Sequence, residues 1–216
     1  MTKRARSISI IGGADGPTSI FIVGKGGKVK LTTRIRNYFY KIKRNRIKKR
    51  LTANPHTLEE VVELLKSEYG AEELSQQSIH YREQRKDLKA ALIMRHRPEL
   101  LGELMDLKKP EREDVEAIKA FLEQIRERSR RAEEIAEDVF PMDFHMYEMK
   151  WRESGTMRVG VETVWQMLDG SYSGDKKAMK QLRKMYKRIY LYYGVTAEDI
   201  ENETERYKAL MGVLCS

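Results

Sequence analysis

Cysteine occurs once in this 216-residue chain, at Cys215, so neither an intrachain disulfide nor a cysteine-cluster metal site can form. Long apolar runs are missing as well. The longest near the N-terminus, Ile20 to Val23, falls far short of the ~18 residues a membrane span requires. The first residues also lack the ~7–15-residue apolar stretch and the small-residue cleavage site of a secretory signal. These absences predict a soluble, cytoplasmic protein, compatible with a peripheral position at the inner membrane surface. Acidic residues are nearly missing from the first quarter of the chain. Residues 1–52 hold fifteen Lys or Arg against Asp15 alone, a charge of +14, whereas residues 53–216 hold twenty-seven bases and thirty-two acids, a charge of −5. A basic arm on an acidic body calls for an anionic partner, or for docking of the arm on its own body.

What is present reads as an α+β protein, predominantly helical, in three parts. The first part is residues 1–24. Ser7-Ile-Ser-Ile-Ile11 alternates polar and apolar, and Ser19-Ile-Phe-Ile-Val23 is rich in β-branched and aromatic residues. With the turn formers between them they predict a strand-loop-strand unit. The second part, 25–53, is a basic amphipathic arm. Leu31, Ile35, Tyr38, Phe39 and Ile42 recur at helical spacing over about 31–50, and bases cover the remainder.

The third part, 54–216, is a mixed helical and hairpin domain. Thr57-Leu-Glu-Glu60 is a capping box, and its helix should run to Tyr69 and stop at Gly70. Further helices are expected at about 76–95, 98–107 and 112–136, with Pro98 and Pro110 at two of the starts. Residues 143–151 and 156–167 read as the two strands of one β-hairpin. Two C-terminal helices follow, at about 175–193 and from Thr196 to about Val213.

One segment carries a family likeness. Ile11-Gly-Gly-Ala-Asp-Gly-Pro-Thr-Ser-Ile-Phe21 resembles a signature of the β subunit of sodium-ion-translocating decarboxylases, the oxaloacetate, glutaconyl-CoA and methylmalonyl-CoA pumps. That resemblance implies a place for Asp15, Gly16, Pro17 and Thr18 in an ion or ligand loop, with Asp15 in sodium and proton movement. It also implies decarboxylase subunits as partners. The likeness covers eleven residues, and the membrane spans that surround the motif in that family have no counterpart among the apolar runs of this chain. Read from the residues alone, Asp15-Gly16 suits the turn of a structural hairpin.

The same glycines do not make a phosphate-cradling loop. Gly12 and Gly16 are four apart, Pro17 has no N–H to offer, and Val29 stands where a magnesium-binding Ser or Thr belongs after Gly24-Lys-Gly-Gly-Lys28. His56, His80, His96 and His145 show no zinc-type spacing, and neither a metal nor another cofactor is expected. Asp143 and His145 alternate onto one side of an expected strand with Tyr147, Met149 and Trp151. They are candidates for an acid–base pair, set against the more ordinary role of a structural hydrogen bond.

The stronger signal is the arm. Lys28, Lys30, Arg34, Arg36, Lys41, Lys43, Arg44, Arg46, Lys48, Lys49 and Arg50, with Tyr38 in the cluster Tyr38-Phe39-Tyr40, suit phosphate contacts with ring stacking on RNA or DNA. They suit equally a helix lying on anionic lipid. The plain alternative is a charged helix docked on the body by its apolar stripe. A second basic helix, Lys176 to Arg188, extends the same surface if the two lie together. Three functional readings follow: a non-catalytic binding or adaptor protein using the arm on an anionic partner, an accessory component related to a decarboxylase pump, and an enzyme using Asp143 and His145.

Overall fold

The computed structural model describes residues 8–10, 31–107 and 115–216, with backbone alone for 8–10, 31–34 and 36. The loop from Gly12 to Thr18, the expected strand 19–23 and the bases Lys28 and Lys30 lie outside the described residues. The fold is α+β and mostly helical.

A three-stranded antiparallel meander forms its centre: β3 (Phe144–Trp151), β4 (Gly155–Glu162) and β5 (Met167–Gly174). Two short strands extend it. β1 (Ile8–Ile10) pairs with β5 through Ile8–Tyr172 and Ile10–Gly170, and β2 (Glu72–Glu73) pairs with β3, giving the order β1-β5-β4-β3-β2. Because side chains alternate across a strand, β3 feeds two separate cores. Tyr147 and Met149 join Met157, Val159 and Tyr172 on one face, and Phe144 and Met146 lie in the other.

Helices close both faces. On the first lie α2 (Leu58–Tyr69), α5 (Lys176–Tyr193), the short α6 (Ala197–Asn202) and α7 (Glu205–Cys215), with Leu58, Val61, Leu65, Leu182, Ile189 and Leu210 fully buried. On the second lie α3 (Ile79–His96), a 310 segment (Pro98–Met105) and α4 (Val115–Glu134), which bring Leu92, Ile93, Leu101 and Ala132 to Phe140. The helix ends are set by local chemistry. Thr57 Oγ1 accepts the Glu60 N–H at 3.2 Å while Glu60 takes the Thr57 N–H at 2.7 Å, and Gly70, left-handed at φ 59°, closes the far end. Asp175 Oδ1 accepts the Lys177 and Ala178 N–H groups, each at 2.8 Å, to start α5.

Three expectations need correction. The strand expected at 156–167 ends at Glu162, and the chain turns at 163–166, where Gln166 takes φ 51°, and returns as β5. The single hairpin is therefore a meander. Asp169, Gly170, Ser171, Ser173 and Gly174 are poor strand formers, which hid β5 from a propensity reading. Packing explains the glycine: a Cβ on Gly170 would sit 2.8 Å from Cε2 of Tyr186 and 2.7 Å from the Arg158 carbonyl oxygen. The last expected helix is two, broken at Glu203 (φ 45°), where Thr204 caps a fresh start. The helix expected at 98–107 is a 310 segment kinked at Gly102 (φ 57°).

Candidate anionic-partner surface

The basic arm is α1 (Leu31–Arg50), twenty residues with nine bases and no acid. No proline or glycine interrupts it, and Lys48, Lys49 and Arg50 in its last turn complement the negative end of the helix dipole. It docks antiparallel on α7 through its C-terminal half. Ile47 and Leu51 pack against the first core. Lys43 Nζ donates to the Cys215 and Ser216 carbonyls at 2.8 and 3.1 Å, and Lys48 meets Glu203 at 2.5 Å with Arg44 at 3.8 Å. Tyr40, 47 % exposed, stands beside Cys215, and its partial burial pushes its hydroxyl above the usual tyrosine range.

The docked residues are Tyr40, Lys43, Arg44, Ile47, Lys48 and Leu51. At about 100° per residue they centre on the side of α1 opposite the stripe of Ile35, Tyr38 and Phe39. The arm is thus docked on its own body, but by this side and not by Ile35, Tyr38 and Phe39. Ile35, Tyr38 and Phe39 are 48, 63 and 64 % exposed, and Ile42 alone of the described stripe is half-buried. Tyr38 and Phe39 meet edge to face at 6.0 Å. Lys41, Arg46, Lys49 and Arg50 are exposed, while the side chains of Arg34 and Arg36 lie outside the described residues.

The second basic helix joins this surface. Lys187 Nζ of α5 reaches the Ser216 carbonyl at 2.8 Å, the same oxygen that Lys43 of α1 approaches. Burial, and then the charges of Lys43 and Arg183, hold Lys187 below the ordinary lysine range, as expected where cations crowd. Lys176, Lys177, Lys180, Arg183, Lys184 and Arg188 are exposed along α5. The two basic helices therefore meet over the C-terminal end of α7.

Asp143 and His145 are brought together, but not as a free acid–base pair. His145 Nδ1 lies 2.6 Å from Glu73 Oε1 and Nε2 lies 3.1 Å from Asp143 Oδ1, and Asp143 also accepts the Thr163 hydroxyl at 2.5 Å. Two carboxylate partners, one at each ring nitrogen, favour the protonated form of the ring. The Glu73 hydrogen bond raises its pKa against the opposing effect of burial. The Thr163 hydrogen bond holds Asp143 below the usual carboxylate range. Each ring nitrogen facing a carboxylate is the geometry of a structural hydrogen-bond cluster. The cluster ties β2 to the start of β3, and Glu73 was its unseen member. Period-2 alternation reports neighbours along a strand, not across it. Among the described residues no group of His, Cys, Asp or Glu is arranged to hold a metal ion.

Sequence reasoning also missed a cavity of about 640 Å³ between the 163–166 turn, the end of α3 and α5–α7. Its walls include Trp165, Met167, Leu168, Tyr190, Tyr193 and Val213. Trp165 is stacked between Phe140 (4.8 Å) and His96 (4.5 Å), and burial keeps His96 below the ordinary histidine range. Three cations and three acids balance around it, and Arg206 is occupied by the Gly194, His56 and Tyr193 carbonyls. Walls drawn from so many elements leave no local sequence signal.

No protein-family model, no curated protein and no solved structure matches the chain.

Proposed function

We propose that this is a non-catalytic binding protein that attaches to a phosphate-bearing, anionic partner through the joined basic surface of α1 and α5. The observation that carries this reading is the convergence of Lys43 and Lys187 on the Ser216 carbonyl, which makes two basic helices one surface. Bases on one helix are commonly a solvated face. A second cationic helix whose Lys187 shares an acceptor with Lys43 of the first raises the potential that attracts polyanions. The occupied nitrogens of His145 support the absence of catalysis at the one acid–base candidate.

The test is binding of the full chain to a single-stranded RNA and to anionic phospholipid vesicles at two salt concentrations. Affinity should fall at least tenfold between ~50 and ~200 mM salt, because each neutralised phosphate releases counterions. Charge reversal at exposed positions of both helices (Lys41→Glu, Arg46→Glu, Lys180→Glu and Lys184→Glu together) should abolish it. Failure to bind either partner, or equal binding by the reversed protein, would overturn the reading.

A further inference from the structure

The outward stripe of α1 is apolar, exposed and aimed away from the body. We infer that it is a lipid contact, which lays α1 in the interface of an anionic bilayer with Ile35 and Phe39 inserted below the headgroups and Tyr38 at their level. This inference rests on the anionic-partner reading and names the partner. Its geometry is that of an interfacial helix: an apolar stripe bordered by Lys41 and continued by Arg46 and Lys49, all exposed. The bases reach phosphate headgroups while their stems lie along the apolar boundary.

The residue types separate the candidate occupants. A nucleic acid stacks on rings, so Tyr38 and Phe39 would serve it, but an exposed aliphatic Ile35 in line with them offers a base nothing to stack on. A bilayer interface takes all three, with aliphatic and Phe side chains in the acyl boundary and Tyr at the headgroup level. A second copy of the chain is disfavoured by charge. Pairing stripe on stripe would bring nine bases without an acid against nine more. No helix among the described residues is long and apolar enough to cross a membrane, so the contact is one of lying on the surface.

The experiment uses the full chain and three probes: phosphatidylcholine vesicles, the same vesicles with about a third phosphatidylglycerol, and a poly(U) oligonucleotide. Phe39→Asp and Ile35→Asp are placed on exposed side chains, so the fold is retained, and matching melting curves check it. Each should weaken partition into anionic vesicles by ~10–100-fold, the value of one inserted apolar side chain, and change salt-dependent RNA affinity less than about twofold. A Phe39→Trp protein should gain blue-shifted emission that brominated lipid quenches, with anionic vesicles only. RNA binding without vesicle binding overturns the lipid contact and leaves the anionic-partner reading standing. Vesicle binding indifferent to both aspartates overturns it too, as does a self-association that Phe39→Asp abolishes without any vesicle binding. Binding to none of the probes overturns both readings.

Discussion

The two faces of the sheet are built by different rules. The face under α5 is closed by tyrosines that bury their rings and hand their hydroxyls to the backbone. Tyr190 donates to the Leu168 carbonyl at 2.5 Å, Tyr193 to the Gln166 carbonyl at 3.0 Å, and Tyr186 to Tyr190 at 3.3 Å. Of the described residues, the three buried charged ones, Lys89, Glu162 and Asp169, all belong to the face under α3 and α4. Lys89 Nζ caps the end of α4 through the Ile135 and Glu133 carbonyls. Glu162 accepts the Asp143 N–H at 2.8 Å and the Trp165 N–H, which fastens the turn into β5. Asp169 receives Gln84 Nε2 at 2.8 Å, and its Oδ1 makes no hydrogen bond of ordinary geometry among the described residues, although the nearby Gly160 amide favours its charged form. One face buries neutral hydroxyls, of which that of Tyr207 makes no hydrogen bond among the described residues, and the other uses charges to close a helix end and a turn. In the buried interior only the second face should respond to pH, while the half-buried His145, its pKa raised by Glu73, lies at the margin of the first.

The sharpest break in this comparison is Lys89→Met. Methionine fills the space but leaves two carbonyls at a helix end without their donor, which should lower stability by about 2–4 kcal/mol in urea denaturation at neutral pH. A smaller loss than that of an ordinary surface change would show that the charge is dispensable.

Next is Asp169→Asn, which should stabilise. Burial raises the Asp169 carboxyl from 3.8 to about 6, opposed by the Gln84 hydrogen bond and the Gly160 amide. The folded state thus holds this proton more tightly than the unfolded state, so the contribution of Asp169 to stability falls as pH rises from near 4 to near 6 and is flat above. At pH 7–8 the asparagine protein should be more stable by about 2–3 kcal/mol. The gap should close on acidification, as melting curves across pH 4–8 would record. A constant gap would remove the titration from the account.

The smallest effect belongs to the tyrosine face. Tyr190→Phe deletes one hydroxyl that donates to Leu168 and accepts from Tyr186, at a cost of about 1–2 kcal/mol. Burial raises the Tyr190 hydroxyl far above the physiological range, so this cost should not change between pH 5 and pH 9. A pH-dependent cost would show that the two faces are not independent.

Legibility in the sequence followed the range of the interaction. The helix at 31–50 was readable from its period, and those at 58–69 and 176–193 also from the glycines that stop them, because each signal lies within a few residues. β5 was not readable, since Gly170 is explained by a ring from α5 and by β4, neither of which a local window sees. Legibility of the surface followed the same line. The bases of α1 and the pairing of Asp143 with His145 are local features. The docked side of α1, the meeting of Lys43 with Lys187 and the place of Glu73 depend on chain separations of 72 residues and more. The apolar stripe was found, but its direction was not, because Tyr40, Ile47 and Leu51 form a second line at the same helical spacing.

That second line has a consequence for distance. Because α1 turns one side to α7 and the opposite side outward, its full thickness of about 10–12 Å stands between the body and whatever the stripe touches. The screening length of water at physiological salt is about 8 Å. On the lipid-contact proposal, the net negative charge of residues 53–216 would stand somewhat more than one screening length from the headgroups, with the exposed bases of α5 as the body's own share of the attraction.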